Sequence, residues 1–195
     1  MQNILVHGEV VFVKKIGIFI ENRFIEKEII YYQNRFPQAG LQVDFLTRLW
    51  GNPSLTFTGL EFGMSFPVDK SFEDIKNPSE EYAAFIMPAG YVADMLRYSE
   101  NPDTLAPAVD FMRRIMEDKS IFKGIICHSV WIFDPIPEVI KGRKLTCHNN
   151  VVGSSRNAGA IYMDEDYFQD GDLLSARTGG HFAGLAERII DNIKK

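Results

Sequence analysis

The sequence predicts an α/β domain of three layers, a sandwich in which a mostly parallel sheet is covered by helices on both faces. Short runs made almost wholly of apolar residues alternate along the chain with segments whose apolar residues recur every three or four positions. Runs of the first kind are typical of strands buried on both faces, and their alternation with helices is typical of parallel sheets. The 195 residues suffice for one domain of this kind.

The strands are predicted from the apolar runs. The clearest cover residues 15–20, 41–47, 82–87, 123–127 and 173–176, and shorter ones cover 144–147 and 160–163. Between residues 50 and 69, short β-type pieces are separated by Gly59 and Gly63. Because parallel sheets bind ligands at the carboxyl ends of their strands, the residues that follow positions 20, 87 and 126 are the candidates for a site.

The helices are predicted from the spacing of three and four. A first helix covers residues 23–36, and Pro37 and Gly40 close it. A second covers residues 105–116, where the stripe that includes Met112 and Met116 is expected to be core. A last amphipathic helix covers residues 181–193, and Thr178-Gly179-Gly180 is expected only to open it.

Residues 1–14 are predicted to form a β-hairpin extension, followed by the main domain of residues 15–195. Apolar pieces at residues 4–6 and 10–13 flank a His7-Gly8-Glu9 turn. No basic residue precedes the first piece and no small-residue cleavage site follows the second, so a secretory signal is not expected.

Charge and composition exclude several classes of function. With 21 basic and 26 acidic residues the net charge is −5, which leaves no excess to neutralise a nucleic-acid backbone. No run of about 18 uncharged apolar residues occurs, so no membrane span is expected. Two cysteines are too few for a disulfide framework, and a reducing, cytoplasmic setting fits.

Cys127 is the sharpest chemical feature. It follows the apolar run Gly124-Ile125-Ile126 and precedes His128-Ser129. A strand that ends at a nucleophile and turns directly into a helix forms a nucleophile elbow, which lifts the side chain above the sheet. The free N–H groups of the helix then favour the reactive thiolate. The alternative is a buried cysteine packed as a small apolar residue; His128 favours the elbow, whereas Ser129 stands where elbows commonly have glycine.

Two further positions are candidates for the same pocket. Pro88-Ala89-Gly90 makes a tight turn at a strand end, where the Gly90 amide is positioned to face Cys127; an ordinary strand-to-helix turn is the alternative. Glu28 lies on the apolar face of the first helix, where it is able to share a proton with the thiol. From the spacing alone, a carboxylate that reaches solvent at the edge of that face is the commoner case. Glu21 and Glu26 are expected to be solvated.

Five stretches together resemble the DJ-1/ThiJ/PfpI family, within the class I glutamine amidotransferase-like fold, which is flavodoxin-like. They are KKIGIFIENRFIEKEI, FIMPAGYVADMLR, GIICHS, IKGRKLTCHNN and RNAGAIYMDEDYFQDGDLLSAR, in the family's order and spacing, and they cover about residues 15–193. The Cys-His pair inside GIICHS is similar to the intracellular-protease-like (PfpI) branch, because the DJ-1 branch lacks that histidine.

The resemblance implies roles for particular residues. Cys127 matches the family's nucleophile, His128 the histidine after it, and Glu28 the glutamate that contacts the cysteine. Two positions depart from the pattern: Ala89 and Gly90 stand for paired glycines, and Ser129 stands for the glycine of Cys-His-Gly. His148 falls where some members have a second pocket histidine. The family forms dimers and larger rings, so a homo-oligomer is expected.

The four histidines are expected to differ in role. The side chain directly after an elbow nucleophile does not naturally face it, so His128 is expected to turn away, toward a carboxylate across a subunit contact as the resemblance suggests. His148 is then the better local base. His7 and His181 are expected at surface or cap positions. The sequence shows no spacing of metal ligands and no glycine-rich phosphate loop, so neither a metal nor a cofactor is expected.

The sequence thus favours a cysteine-dependent enzyme that acts on a small-molecule or peptide substrate through a carbonyl or amide. The resemblance implies hydrolysis of the peptidase or amidase type, or glyoxalase and deglycase chemistry on 2-oxoaldehydes. One alternative is a redox-sensing or protein-stabilising domain whose cysteine is oxidised instead of turning over substrate. Another is a binding domain that kept the fold and lost the chemistry.

Overall fold

A computed structural model describes residues 3–6, 9–12 and 14–195, and six of its strands form one central sheet. These strands are β3 (Lys15–Phe19), β4 (Gln42–Leu46), β7 (Tyr82–Met87), β8 (Phe122–Ile126), β11 (Tyr167–Asp170) and β12 (Leu173–Ala176). Their spatial order is β11-β12-β8-β7-β3-β4. Neighbours are parallel except β11 and β12, which form an antiparallel hairpin at the edge. The predicted mostly parallel sheet is confirmed.

The other strands of the described residues form three small sheets outside the central one. Antiparallel pairs join β1 (Asn3–Val6) to β2 (Glu9–Phe12) and β5 (Leu55–Thr58) to β6 (Ser65–Val68). The short strands β9 (Lys144–Leu145) and β10 (Ile161–Tyr162) are parallel. His7 and Gly8, in the predicted N-terminal turn, lie outside the described residues. The division into residues 1–14 and 15–195 stays a prediction.

The described residues form six α-helices, of which α1–α5 lie between strands and α6 follows the last strand. They are α1 (Glu26–Gln38), α2 (Pro78–Glu81), α3 (Val92–Leu96), α4 (Pro107–Glu117), α5 (Val152–Asn157) and α6 (Phe182–Ile193). Helix α1 begins three residues later than its spacing predicts, because Arg23 has a φ of 64° and Phe24 pairs with Gly90 in an isolated β-bridge. It also includes Pro37 in its last turn and ends before Gly40, whose φ is 82°.

Alternate residues of the central strands pack against helices on opposite faces of the sheet. On one face, the ring of Phe85 lies 5.3 Å from Phe111 of α4. On the other, Ile86 and Ile189 of α6 flank Gly124, and α1 packs beside α6. Residues of β7 are therefore buried on both sides, as the all-apolar run predicts. Within the described residues, no helix is both long and apolar enough to cross a membrane.

Candidate active site

A cavity of about 350 Å³ opens at the carboxyl edge of the central sheet. Much of its wall comes from the loops that follow β3, β7, β8 and β12, which is where parallel sheets place ligands. The lining residues are Ile25, Leu60, Ala89, Gly90, Tyr91, Cys127, His128, His148, Thr178 and Gly179. The cavity therefore collects four of the pocket residues predicted from sequence around Cys127: Ala89, Gly90, His128 and His148.

Cys127 occupies a sharp turn directly after β8. Its φ of 62° lies in the left-handed region, its N–H donates to the Ala176 carbonyl (3.0 Å), and its own carbonyl accepts the His148 N–H (3.1 Å). Strand β12 and the segment after β9 thus hold the turn, and the half-buried side chain lines the cavity. The segment after it is a five-residue 3₁₀ helix, Ser129–Phe133, so no long helix dipole is aimed at the sulfur.

The strain in this turn predicts a stability difference between two substitutions of Cys127. A side chain with a Cβ in the left-handed region costs about 1–2 kcal/mol, whereas glycine adopts it freely. Cys127→Gly is therefore expected to unfold with a free energy about 1 kcal/mol higher than Cys127→Ala. Urea unfolding of both variants measures the difference. A Cys127→Ala variant more stable than Cys127→Gly would show that the turn is not strained, because glycine costs about 0.5–1 kcal/mol relative to alanine at an unstrained position.

Three backbone N–H groups face the sulfur, and they oppose the effect of its burial. Burial raises the pKa of the Cys127 thiol, and the nearby Glu28 raises it further, whereas the amides of Gly179, His128 and Gly90 lower it. The net direction is upward, so the prediction of a thiol kept ionised by amide dipoles is wrong. Desolvation of the sulfur outweighs the three donors.

Gly179 supplies a backbone donor to Cys127 that the sequence reasoning missed. The pattern Thr178-Gly179-Gly180 predicts only the start of the last helix. It also follows β12, a parallel strand of the central sheet, and Gly179 both lines the cavity and directs its N–H toward Cys127. The available signal was its position at a strand end.

Glu28 is fully buried behind the cavity wall. Its Oε2 accepts the Ala89 N–H at 2.9 Å, so the alanine amide donates to this carboxyl and does not point into the cavity. Burial raises the Glu28 pKa to about 8, partly offset by that bond and by Tyr32. The carboxyl is therefore protonated at neutral pH and does not reach solvent, unlike the commoner case that spacing alone suggests.

Gly90 is required by the shape of its turn. Its φ is 89°, and a Cβ there would collide with the Arg23 carbonyl oxygen. The Tyr91 N–H donates to the same carbonyl at 3.2 Å. This close approach between two strand ends directs the Gly90 amide toward Cys127.

His128 faces the sulfur, contrary to the sequence expectation that it turns away. Its Nδ1 lies 3.1 Å from Cys127 Sγ, because the tight turn before the 3₁₀ helix keeps the two side chains on one side. The imidazole packs on Trp131 (4.9 Å) and stacks on His148 (4.6 Å). Burial, and secondarily His148, lower the pKa of His128, so it is neutral at pH 7 and able to accept a proton.

His148 is held in a different way. Its Nδ1 accepts the Asn150 N–H at 3.2 Å, which assigns the proton of the neutral ring to Nε2. It lines the cavity beside His128 but is not the imidazole that contacts the sulfur. His181 forms a capping box with Thr178, at a cap position as predicted.

Ser129 has a structural partner. Its Oγ accepts the buried Ile126 N–H at 2.6 Å, at the end of β8. The family's glycine at this position has no side chain to make this bond. Ser129 therefore closes the backbone of the elbow and does not line the cavity.

Removing that bond is expected to destabilise the fold. Ser129→Ala leaves the Ile126 N–H buried without an acceptor, which costs about 1–3 kcal/mol of unfolding free energy. Chemical denaturation measures the loss, and the exposed Ser54→Ala is the control, with an expected change within about 0.5 kcal/mol. Equal effects in both variants would contradict the assigned role.

Glu26 is buried, contrary to the expectation that it is solvated. Its carboxylate accepts the N–H groups of Glu61 (2.6 Å), Phe62 (2.9 Å) and Met64 (3.3 Å), and these bonds lower its pKa below the usual value against the effect of burial. The bonds hold the loop that carries Leu60 to the cavity mouth.

Within residues 14–195, no group of three or more His, Cys, Asp and Glu is arranged to hold a metal ion.

Comparison with known proteins gives consistent matches. The model of the DJ-1/PfpI family matches residues 14–192. The chain is 30% identical over 181 residues to Deglycase PfpI of Pyrococcus furiosus, covering 92% of this chain and 99% of that protein. It is 30% identical to Protein/nucleic acid deglycase 2 of Escherichia coli (85% and 89% covered) and 24% identical to Putative cysteine protease YraA of Bacillus subtilis (93% and 99%).

Solved structures agree in fold. A two-domain protein of Anabaena variabilis with DJ-1/ThiJ/PfpI-like and ferritin-like domains superposes with a TM-score of 0.79 at 26% identity. The match covers 93% of this chain but about half (48%) of that longer protein. Drosophila melanogaster DJ-1beta superposes with a TM-score of 0.77 at 18% identity, covering 92% and 90% of the two chains.

Proposed function

Because the chain belongs to the DJ-1/PfpI family, we propose that it is an enzyme that uses Cys127 to attack small carbonyl compounds, with 2-oxoaldehydes as the leading class. One observation carries the proposal: Cys127 Sγ lies 3.1 Å from His128 Nδ1, among the backbone donors of Gly90 and Gly179. A thiol, a base and two oxyanion donors therefore meet in one cavity. Relatives named deglycases support the same class of chemistry.

The first step joins the thiol to the substrate. His128 Nδ1 takes the thiol proton as the sulfur attacks the aldehyde carbon, and the electrons of the C=O bond move to oxygen. The amides of Gly90 and Gly179 donate to that oxygen as its charge develops. The Glu28 carboxyl, protonated below about pH 8, supplies a proton to the oxyanion, which yields a hemithioacetal.

Glu28 and His128 also move the protons that complete a glyoxalase reaction. The hydrogen on the former aldehyde carbon leaves as a proton to a basic residue, and a proton is returned to the neighbouring carbon. The product is a thioester of a 2-hydroxy acid, which water hydrolyses to release the acid and restore the thiol. We assign these proton transfers to His128, which contacts the sulfur, and to Glu28, which is a carboxylate after the first step and lies close enough to Cys127 to shift its pKa.

The cavity also limits substrate size. Its volume of about 350 Å³ accommodates a small molecule and not a folded protein. Ile25, Leu60 and Tyr91 make the wall apolar on one side of the thiol. The same donors are also able to support hydrolysis of a small amide. Because one relative is named a putative cysteine protease, the test below includes amide hydrolysis as an outcome.

The test supplies three reagents to the same protein. Steady-state conversion of methylglyoxal to lactate supports the proposal, and turnover of a chromogenic peptide amide alone would replace it by hydrolysis. Stoichiometric uptake of peroxide at Cys127 with no turnover of either substrate would replace it by the redox-sensing alternative. Mass spectrometry of the protein after each reaction identifies the species on Cys127.

A further inference from the structure

Two buried polar atoms near the site have no hydrogen-bond partner of normal geometry. They are Oε1 of Glu28 and the hydroxyl of Tyr32, and both residues have no exposed surface. Buried polar atoms are nearly always paired, so two orphans in one place call for an explanation. Neither the strands nor the residues that line the cavity explain why these two atoms lack a partner.

The two orphans belong to one face of α1. Residues four apart on a helix lie one above the other, so the side chains of Glu28 and Tyr32 are neighbours. The Ala89 N–H occupies Oε2 and leaves Oε1 as the free atom of the carboxyl. The Tyr32 ring packs on the Phe36 ring, whose centroid lies 5.5 Å away. Its hydroxyl lies close enough to Glu28 for each group to shift the pKa of the other.

Among the described residues, the ionisable groups that shift the pKa values of Glu28 and Tyr32 are carboxyls and phenols and not cations. Besides burial, the Ala89 amide, Tyr32 and the charge of Glu61 shift the pKa of Glu28, and Glu28 in turn raises the pKa of Cys127. Besides burial, Glu28 and two further tyrosines, Tyr31 and Tyr167, raise the pKa of Tyr32. The Tyr32 hydroxyl is therefore the side-chain donor that these groups offer to a Glu28 carboxylate.

We propose that Tyr32 is a positioning residue: its hydroxyl donates to Glu28 Oε1 when that carboxyl gives up its proton. A neutral carboxyl tolerates one loosely paired oxygen, whereas a buried carboxylate without a second donor is costly. The phenol keeps its own proton throughout, since the Tyr32 pKa is raised well above its usual value. Tyr32 thus makes it easier for Glu28 to release a proton to the substrate oxygen.

This inference rests on the proposed function for its effect on turnover, but the proton equilibrium of Glu28 tests it independently. In Tyr32→Phe, the midpoint of the Glu28 carboxyl is expected to move upward by about one pH unit, since the carboxylate loses its donor. Carbon-13 NMR of protein with carboxyl-labelled glutamate measures it, with Glu28→Gln to assign the signal. The turnover number is expected to fall about tenfold with KM unchanged.

Tyr31→Phe is the matched control. Tyr31 is the adjacent residue of α1, and its hydroxyl donates to Glu187 of α6 at 3.0 Å. It should leave the Glu28 midpoint unchanged. An unmoved midpoint in folded Tyr32→Phe, or an equal shift in Tyr31→Phe, would overturn the inference. Absence of turnover in the wild type would overturn the proposed function alone, because the midpoint shift is still measured.

Discussion

Replacing Cys127 by alanine is expected to abolish turnover of 2-oxoaldehydes, with a loss of at least ~10³-fold in kcat/KM. The sulfur is the atom that bonds to substrate, so no neighbouring group replaces it. Alanine keeps the Cβ and the backbone turn, so the fold should survive the change. Conversion of methylglyoxal under steady-state conditions measures the effect, and far-UV circular dichroism checks the fold.

Cys147→Ala is the matched control for this experiment. Cys147 is buried, it does not line the cavity, and burial raises its pKa to about 11. A buried thiol with so high a pKa is a poor nucleophile. Its replacement should leave turnover within a few-fold of the wild type. Activity that survives in Cys127→Ala and disappears in Cys147→Ala would assign the chemistry to the other cysteine.

Glu28→Gln is expected to lower turnover by roughly 10²–10⁴-fold, because it removes a general acid–base group while keeping shape and burial. The amide oxygen of the introduced glutamine is still able to accept the Ala89 N–H, so the turn before Gly90 should keep its position. The wild-type pH profile should lose activity above about pH 8, where Glu28 loses its proton in the free enzyme. The activity that Glu28→Gln retains should not show this decrease above about pH 8.

Glu28→Gln is expected to stabilise the folded protein, although it lowers turnover. The folded-state pKa of Glu28, about 8, lies above the ordinary value of 4.5, so the folded protein binds this proton more tightly than the unfolded chain. Wild-type stability therefore falls as pH rises from about 4.5 to about 8, by about 1.4 kcal/mol per pH unit from this group. Glu28→Gln has no such penalty and should become the more stable protein by several kcal/mol at pH 8.

Denaturant unfolding of both proteins at pH 5 and pH 8 measures this change. Comparing the two proteins at each pH cancels the contributions of all other titrating groups. A constant difference between wild type and variant across that range would show that Glu28 titrates near its ordinary pKa. The turnover prediction would then lose its physical basis, since an ionised Glu28 has no proton to donate.

Local patterns alone predicted five of the six central strands and the three longest helices, whereas the edge strand β11 and the short helices α2, α3 and α5 were not predicted. Residues 82–87 and 173–176 are predicted with the bounds that the structure has, because a run made almost wholly of apolar residues needs burial on both faces wherever it lies. The start of α1 was predicted three residues too early. The bridge between Phe24 and Gly90 joins segments far apart in the chain, and no local pattern records it.

The sequence by itself determined the architecture and the identity of the chemical groups: a cysteine at the end of a buried strand, a histidine beside it, and a glutamate on an apolar helix face. Tertiary structure alone decided that His128 faces the sulfur, that Glu26 and Glu28 are both buried, and that the Gly179 amide joins that of Gly90. Periodicity depends on neighbours three or four residues away and is visible in one chain segment. Side-chain direction and desolvation depend on loops that meet only after the sheet has assembled.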